Sequence, residues 1–326
     1  MELRIFSAAD VRQALPMAEA IGAMKTGYAQ LSAGQVQAPL RTHLAVTETD
    51  STLIMPFYAP EGGALGLKVV SVFGSNPPRG FPLIHALVFV VDAATGQPQA
   101  LIEGSALTAI RTGAASGAAT DILSRPDATT VAIFGSGVQA RRQLEAVCTV
   151  RPIERVTVYT LDGAEAFVQE MAGYGPVPKT IQIANSPVEA VRGADIICTA
   201  TTSSTPVFDG HDLTPGCHIN GIGSFTPNMQ EIDAKTVQRS LVVVDSREAA
   251  LAEAGDLIIP LNMGLITRDH IGTELGEVIN GTKPGRKDES QITFFKSVGV
   301  AVQDAMAAGI IVRNGSSLGL GTVVEL

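Results

Sequence analysis

Residues 131–147, VAIFGSGVQARRQLEAV, constrain the fold more than any other stretch of the chain. Residues 131–134 are a short apolar run of strand character, which breaks at Gly135-Ser136-Gly137. From Ala140 to Val147 the apolar residues return at helical spacing. Strand, glycine turn and helix follow in that order, with Gly135, Gly137 and Ala140 at the three positions that must be small in a dinucleotide-binding turn. The first glycine permits the tight turn and the second lets a pyrophosphate approach the backbone. The small third residue lets the helix pack close to its strand. The N–H groups at the helix start then face the phosphates. A plain connecting turn also uses glycine, so it is the strand before and the helix after that favour dinucleotide binding.

The residues downstream repeat the theme. Strand-like runs at 156–160, 181–184, 196–200, 218–222 and 241–245 alternate with helical ones at 164–172, 187–191 and 227–237, as in a doubly wound parallel sheet. Upstream the pattern differs. Residues 2–6 read as a short strand, Ser7 as the N-cap of a short helix, and 15–31 as an amphipathic helix. Strands follow at 40–47, 52–58, 66–73, 83–92 and 98–102, joined by turn-rich pieces at 59–63, 75–80 and 94–97. This predicts an α+β domain with a largely antiparallel sheet. Residues 105–123 are rich in alanine, glycine and serine at helical spacing and suit a helix that packs very close to a neighbour or ligand. Residues 291–308 read as a helix and 309–326 as an exit segment. The fold class is therefore α/β, a Rossmann-type doubly wound domain beside an α+β domain.

A chain of 326 residues suits two such domains. Its net charge of −9 argues against nucleic acid or an anionic membrane as partner, so an anionic small molecule has to be met by local cations. Cys148, Cys198 and Cys217 lack metal-ligand spacing and sit among apolar or small residues. They read as buried thiols of a reducing compartment, and with no apolar leader the expected location is cytoplasmic. Three basic residues lie in apolar or small-residue surroundings: Arg41 in APLRTHL, Lys68 in GLKVV and Arg111 in LTAIRTG. Singly, each is the ordinary solvent-facing residue of a half-buried strand or helix. Together they suggest a carboxylate site, arginine offering a two-pronged fork and lysine a compact charge. His43 and His85 lie in strands nearby, where hydrogen-bonded structural roles are the commoner ones. At the end of the second strand after the turn, Thr160 takes the tip and Asp162 precedes Gly163, where a turn role fits it best; NAD and NADP are not distinguished.

GLKVV, EGSALTAIRTGAASG, FGSGVQARRQLEA and TFFKSVGVAVQDAMAA, in this order, resemble the ornithine cyclodeaminase/mu-crystallin family over essentially the whole chain. The resemblance implies a substrate-binding and dimerisation domain at 1–118 and 304–326, a Rossmann domain at 119–303, and a homodimer. It implies that Arg41, Lys68 and Arg111 hold a substrate carboxylate, with Lys68 as candidate for proton transfer. Gly135, Ser136, Gly137, Val138 and Gln139 match the pyrophosphate turn, Thr160 the ribose position, Thr201 and Ile222 cofactor-lining residues, and 296–299, with Val298, a segment beside the nicotinamide. The implied cofactor is NADH or NADPH, with no metal.

One departure matters. Where cyclodeaminases and the alanine dehydrogenases carry an Asp, two residues before the proline of a loop, this chain has Phe225 in Gly223-Ser224-Phe225-Thr226-Pro227. Phenylalanine cannot exchange a proton with an amino group. The loop instead resembles members that reduce Δ1-pyrroline-2-carboxylate or Δ1-piperideine-2-carboxylate to L-proline or L-pipecolate, with Phe225 against the apolar face of the ring. The competing expectations are that Ser224 or Asp50 replaces the missing carboxylate, in a cyclodeaminase or alanine-type dehydrogenase; a hydroxyproline dehydratase; and a non-catalytic, crystallin-like binding protein.

Overall fold

The N-terminal strand β1 (Glu2–Phe6) is held on both sides, parallel to β6 (Pro98–Glu103) and antiparallel to the closing strand Thr322–Glu325. Between them the chain forms β2 (Thr42–Ala45), β3 (Asp50–Tyr58), β4 (Leu65–Phe73) and β5 (Ile84–Val91). The sheet runs closing strand, β1, β6, β5, β4, β3, β2, and every pair but β1–β6 is antiparallel. In β3 and β4, residues two apart (Leu53, Met55 and Phe57; Lys68 and Val70) turn to a buried face, the period of a sheet covered on one side. Helices Ala8–Ala14, Met17–Ser32 and Ala301–Ser317 belong to the same unit. Ser7 caps the first of them in a capping box with Asp10.

This computed structural model describes residues 2–325; Met1 and Leu326, which the expected domains include, lie outside the described residues. Contacts divide the chain into Met1–Arg111 with Val300–Leu326, and Thr112–Gly299. The expected boundaries at 118/119 and 303/304 fall seven and four residues further along, the first of them within the helix Gly104–Leu123, which runs unbroken through the division.

The second unit is an all-parallel sheet of β7 (Thr130–Phe134), β8 (Arg155–Tyr159), β9 (Ile181–Ile183), β10 (Ile196–Thr199), β11 (His218–Gly221), β12 (Ser240–Val244) and β13 (Ile292–Lys296). Its order is β12-β13-β11-β10-β7-β8-β9. The chain winds outward from β7 through β8 to β9, then crosses to β10 on the other side. The ends of β7 and β10 therefore flank the switch point at which such sheets bind ligands. The α/β class and the Rossmann-type winding are as the alternation predicts.

Two expectations need correction. Residues 291–308 are not one helix: Ile292–Lys296 form a strand, and the helix occupies Ala301–Ser317. A strand buried on both faces shows no alternation, and a short apolar run cannot be told from a helix by period alone. The supposed exit segment is consequently half helix, and Gly309 lies mid-helix because a Cβ there would meet the Gly62 carbonyl oxygen at 2.7 Å. Likewise 227–237 is mostly loop; the helix Ala234–Arg239 starts where Asp233 accepts from the Thr236 N–H. Helices Arg247–Glu253, Gly255–Asn262 and Leu275–Ile279 had no clear signal in the sequence.

Candidate active site

In the first unit, strand alternation turns Lys68 inward from β4, with Met55 and Val88 as its neighbours across the sheet. It is 1% exposed. Arg111 arrives by a different route: both carboxylate oxygens of Glu103 accept from the N–H groups of Ser105 and Ala106, which sets the start of the helix Gly104–Leu123 and the rotation of its second turn. The two cations meet a buried carboxylate, Asp304, in the first turn of the helix Ala301–Ser317. Lys68 Nζ lies 2.9 Å from Asp304 Oδ1 and 2.8 Å from Oδ2, and Arg111 Nε donates to Oδ1 at 3.1 Å. Arg111 Nη1 also donates to Gln303 Oε1, which accepts from the Val300 N–H at 3.0 Å, while Gln303 Nε2 donates to the Tyr28 hydroxyl.

Lys68 and Arg111 are therefore neither solvent-facing nor independent. Burial, reinforced by the Arg111 charge, brings the Lys68 ammonium down from 10.5 to about 7 although Asp304 pulls the other way; the Arg41 charge lowers it further. Arg41 itself is half-buried just before β2. His43 and His85 are exposed, so they line no buried cavity. Asp304 and Gln303 were not singled out from the sequence. The available signal was an acid inside the apolar run VAVQDAMAA, since a carboxylate buried on a helix requires a partner.

In the second unit, Gly135 has φ +103°, and a Cβ on it would lie 2.7 Å from the Ala200 carbonyl oxygen. Gly137, N-cap of the helix Val138–Val150, differs: a Cβ there meets nothing within 4 Å. Its bareness keeps space open in front of the helix N-terminus. Val138 is exposed, and the Gln139 side-chain oxygen is buried with no partner among the described residues. An open approach and the N–H groups of a helix start together fit a dinucleotide pyrophosphate. Ser136 Oγ donates to the Asp162 carbonyl at 2.9 Å, as does Thr160 Oγ1, so Thr160 and Asp162 are tied into the turn that ends β8. Arg141, the nearest cation on the helix, donates to Glu170 at 2.7 Å and to the Ser136 carbonyl.

Glu231, also not foreseen, organises the far side of the switch point. Its Oε1 accepts from the Thr201 N–H (2.6 Å) and hydroxyl (2.8 Å), and its Oε2 from the Thr199 hydroxyl (3.0 Å) and Gly223 N–H (2.6 Å). Burial and the neighbouring Asp256 raise its proton affinity. Ile222 is buried at the end of β11, and Phe225 is half-buried three residues on. Asp245 Oδ2 accepts from Ser297, Val298 and Gly299, which fixes the expected nicotinamide segment. Lys296 is fully buried, 2.9 Å from Asp256, and so is not a free cation.

A model of the ornithine cyclodeaminase/mu-crystallin family matches residues 1–317. The chain belongs to this family. Among its relatives, the Δ1-pyrroline-2-carboxylate reductase of Bacillus cereus is 43% identical over 326 residues, covering 98% of this chain and 99% of that protein. The structure of the Thermococcus litoralis Δ1-pyrroline-2-carboxylate reductase in complex with NADH and L-proline superposes with a TM-score of 0.94 at 40% identity, covering 98% and 99% of the two chains. An archaeal alanine dehydrogenase dimer with bound NAD gives 0.93 at 31% identity, covering both chains entirely.

Against this family background, the two stand-ins for the carboxylate missing at Phe225 are engaged elsewhere. Ser224 donates to the Met229 carbonyl at 2.7 Å and accepts from the Asp256 N–H at 3.3 Å. Asp50 accepts from the backbone and hydroxyl of Ser75, at 3.1 and 2.9 Å, and so closes the β4–β5 hairpin onto β3. The three cysteines are buried free thiols pushed up to about 12 by burial, which removes them as nucleophiles. Among the described residues no group of three His, Cys, Asp or Glu side chains could hold a metal ion, and no helix is long and apolar enough to cross a membrane.

Proposed function

We propose that this chain is a reductase of cyclic imino acids that converts Δ1-pyrroline-2-carboxylate to L-proline at the expense of a reduced nicotinamide dinucleotide. One observation carries the reading: the buried cluster around Asp304 has two cations, Lys68 and Arg111, for one carboxylate. Arg41 adds a third positive charge to the surroundings of Lys68. A buried cluster with more cations than anions is stabilised by a second carboxylate, and the substrate brings one. The likeness to two Δ1-pyrroline-2-carboxylate reductases over nearly the whole chain favours a cyclic imine as that acid. The six-membered homologue, giving L-pipecolate, offers the same carboxylate and C=N group.

Arg41, Lys68 and Arg111 bind the carboxylate and fix the orientation of the ring. A reduced nicotinamide held at the Gly135–Gly137 turn supplies the hydride. Lys68, or a water it positions, provides the proton that keeps the imine nitrogen cationic, because a protonated imine accepts hydride more readily. Phe225 covers the apolar ring and excludes the water that would hydrolyse the imine. Val138, Gln139, Thr160, Thr201, Ile222 and Val298 line the dinucleotide in this reading. NADH is the reductant assigned, since the Thermococcus litoralis enzyme holds it.

Two copies pair in the same reading. Outward residues of the first sheet, including Ile5, Leu44, Val69 and Leu87, form an exposed apolar row that a second copy would cover, and the archaeal alanine dehydrogenase relative is a dimer. The buried free thiols support a reducing, cytoplasmic compartment.

The test follows reduced-cofactor absorbance with Δ1-pyrroline-2-carboxylate, Δ1-piperideine-2-carboxylate, and pyruvate plus ammonia, each with NADH and NADPH. Turnover of the cyclic imines is expected. Turnover confined to pyruvate plus ammonia, or release of ammonia from ornithine with catalytic NAD, would replace the reading.

A further inference from the structure

The reaction proposed above requires two cations to act as one unit, although they come from a strand and a helix with no sequence relation. We infer that Asp304 is a positioning residue for that reaction: its one carboxylate fixes Lys68 and Arg111 relative to each other and supplies the negative charge that lets Lys68 carry a proton inside the fold. This rests on the reading of the chain as an imine reductase, and its geometric basis lies within the first unit.

The donors show the division of labour. Asp304 accepts Arg111 Nε at 3.1 Å, and Gln303, one residue earlier, accepts Nη1. Adjacent residues of one helical turn thus hold two of the three guanidinium nitrogens, Nε and Nη1, and Nη2 is left to present its N–H groups. Gln303 is held in turn by the Val300 N–H and the Tyr28 hydroxyl, so the grip has its own support. Lys68 lies within 2.9 Å of both Asp304 oxygens, on one side of its ammonium. The remaining N–H groups are aimed by that attachment.

The charged groups around Lys68 come from three elements. Arg111 on the helix Gly104–Leu123 and Arg41 before β2 disfavour its proton, and Asp304 on the helix Ala301–Ser317 favours it. Its neighbours in β3 and β5, Met55 and Val88, do not titrate. Asp304 is therefore the only one of these groups that keeps the lysine a donor near neutrality. The adjustment to losing Asp304 falls on Lys68, since a guanidinium stays charged in proteins.

Asp304→Asn keeps the shape and removes the charge. Two measurements on the full chain decide the matter: a ¹³C titration of the lysine side chains, with the Lys68 signal assigned by its absence in Lys68→Met, and kcat/KM against pH for the cyclic imine. In the variant the Lys68 midpoint should fall by about one pH unit or more, and the alkaline limb of kcat/KM should move down with it. The ratio of wild-type to variant activity should then exceed about tenfold above neutrality and narrow toward pH 6. A uniform loss at every pH with an unmoved Lys68 midpoint would overturn the inference and leave Asp304 a structural residue. If Asp304→Asn does not fold, Asp304→Glu retains the charge at a displaced position: a near-native midpoint with a raised KM for the imino acid is expected, and a native KM would count against positioning. If the wild type reduces no cyclic imine, the functional reading fails, yet the lysine titration still decides whether Asp304 holds the Lys68 proton.

Discussion

Gly135 and Gly137 look alike in sequence and do different work. At Gly135 a side chain would be strained at φ +103° and would strike the Ala200 carbonyl, so its glycine serves the fold. At Gly137 a side chain would meet only space, so its glycine serves whatever occupies that space. Gly135→Ala should lower the melting temperature, at a cost of about 1–3 kcal/mol. Gly137→Val should melt nearly as wild type and yet bind NADH at least about tenfold more weakly by fluorescence titration, one missing approach to the pyrophosphate. Equal effects of the two changes on stability would refute the distinction. Lys68 makes the second prediction at this scale. If it delivers the proton, kcat/KM is full below its midpoint and falls as pH rises through about 7, the direction set by loss of the ammonium. Lys68→Ala should abolish most imine reduction while NADH binding by the second unit persists; near-normal turnover would take Lys68 out of the chemistry. These residues were legible because cations amid apolar residues are conspicuous in a chain of net charge −9. Asp304 was legible in principle, as an acid inside the apolar run VAVQDAMAA, whereas Glu231, among the polar and charged residues of its own loop, carries no mark of burial.

At the scale of elements, β1–β6 and the winding of the second sheet followed from alternation and glycine placement, whereas the closing strand Thr322–Glu325 lay unread in the expected exit segment. The failures have different causes. β13 is an interior strand buried on both faces, so TFFK lacks the alternation of a half-exposed strand, and the one punctuation before the helix is Gly299, at φ +86°. The loop after β11 failed in the other direction: 227–237 has helical composition, but Glu231 within it is drawn inward to bind Thr199, Thr201 and Gly223. That carboxylate joins the ends of β10 and β11 in the way a clasp joins two straps. Glu231→Ala leaves four donors without their acceptor and should cost about 3 kcal/mol in denaturant unfolding, with NADH affinity falling as Thr201 and Ile222 lose their support. Glu231→Gln retains an acceptor oxygen and should recover part of both losses. A Glu231→Ala protein with native affinity and stability would show that the clasp is dispensable.

For the whole molecule, the proposed pairing of two copies would rest on the exposed residues Ile5, Leu44, Val69 and Leu87 of the first sheet. Val69 and Leu87 are register partners on adjacent strands, so a charge on either lies against the other. Leu87→Lys should convert a dimer to monomers in light scattering coupled to size exclusion, with little change in the melting of the remaining fold; a dimer that survives this change pairs through another surface. The first unit also differs from the second in how the chain composes it. The second unit is one continuous run, Thr112–Gly299, whereas the first needs Val300–Leu326 to complete residues made some two hundred positions earlier. During synthesis the dinucleotide-binding half can close as soon as it emerges, while Lys68 waits for Asp304 with its ammonium and β1 waits for its closing strand. The first unit thus acquires its buried carboxylate only after the whole of the second unit has been made.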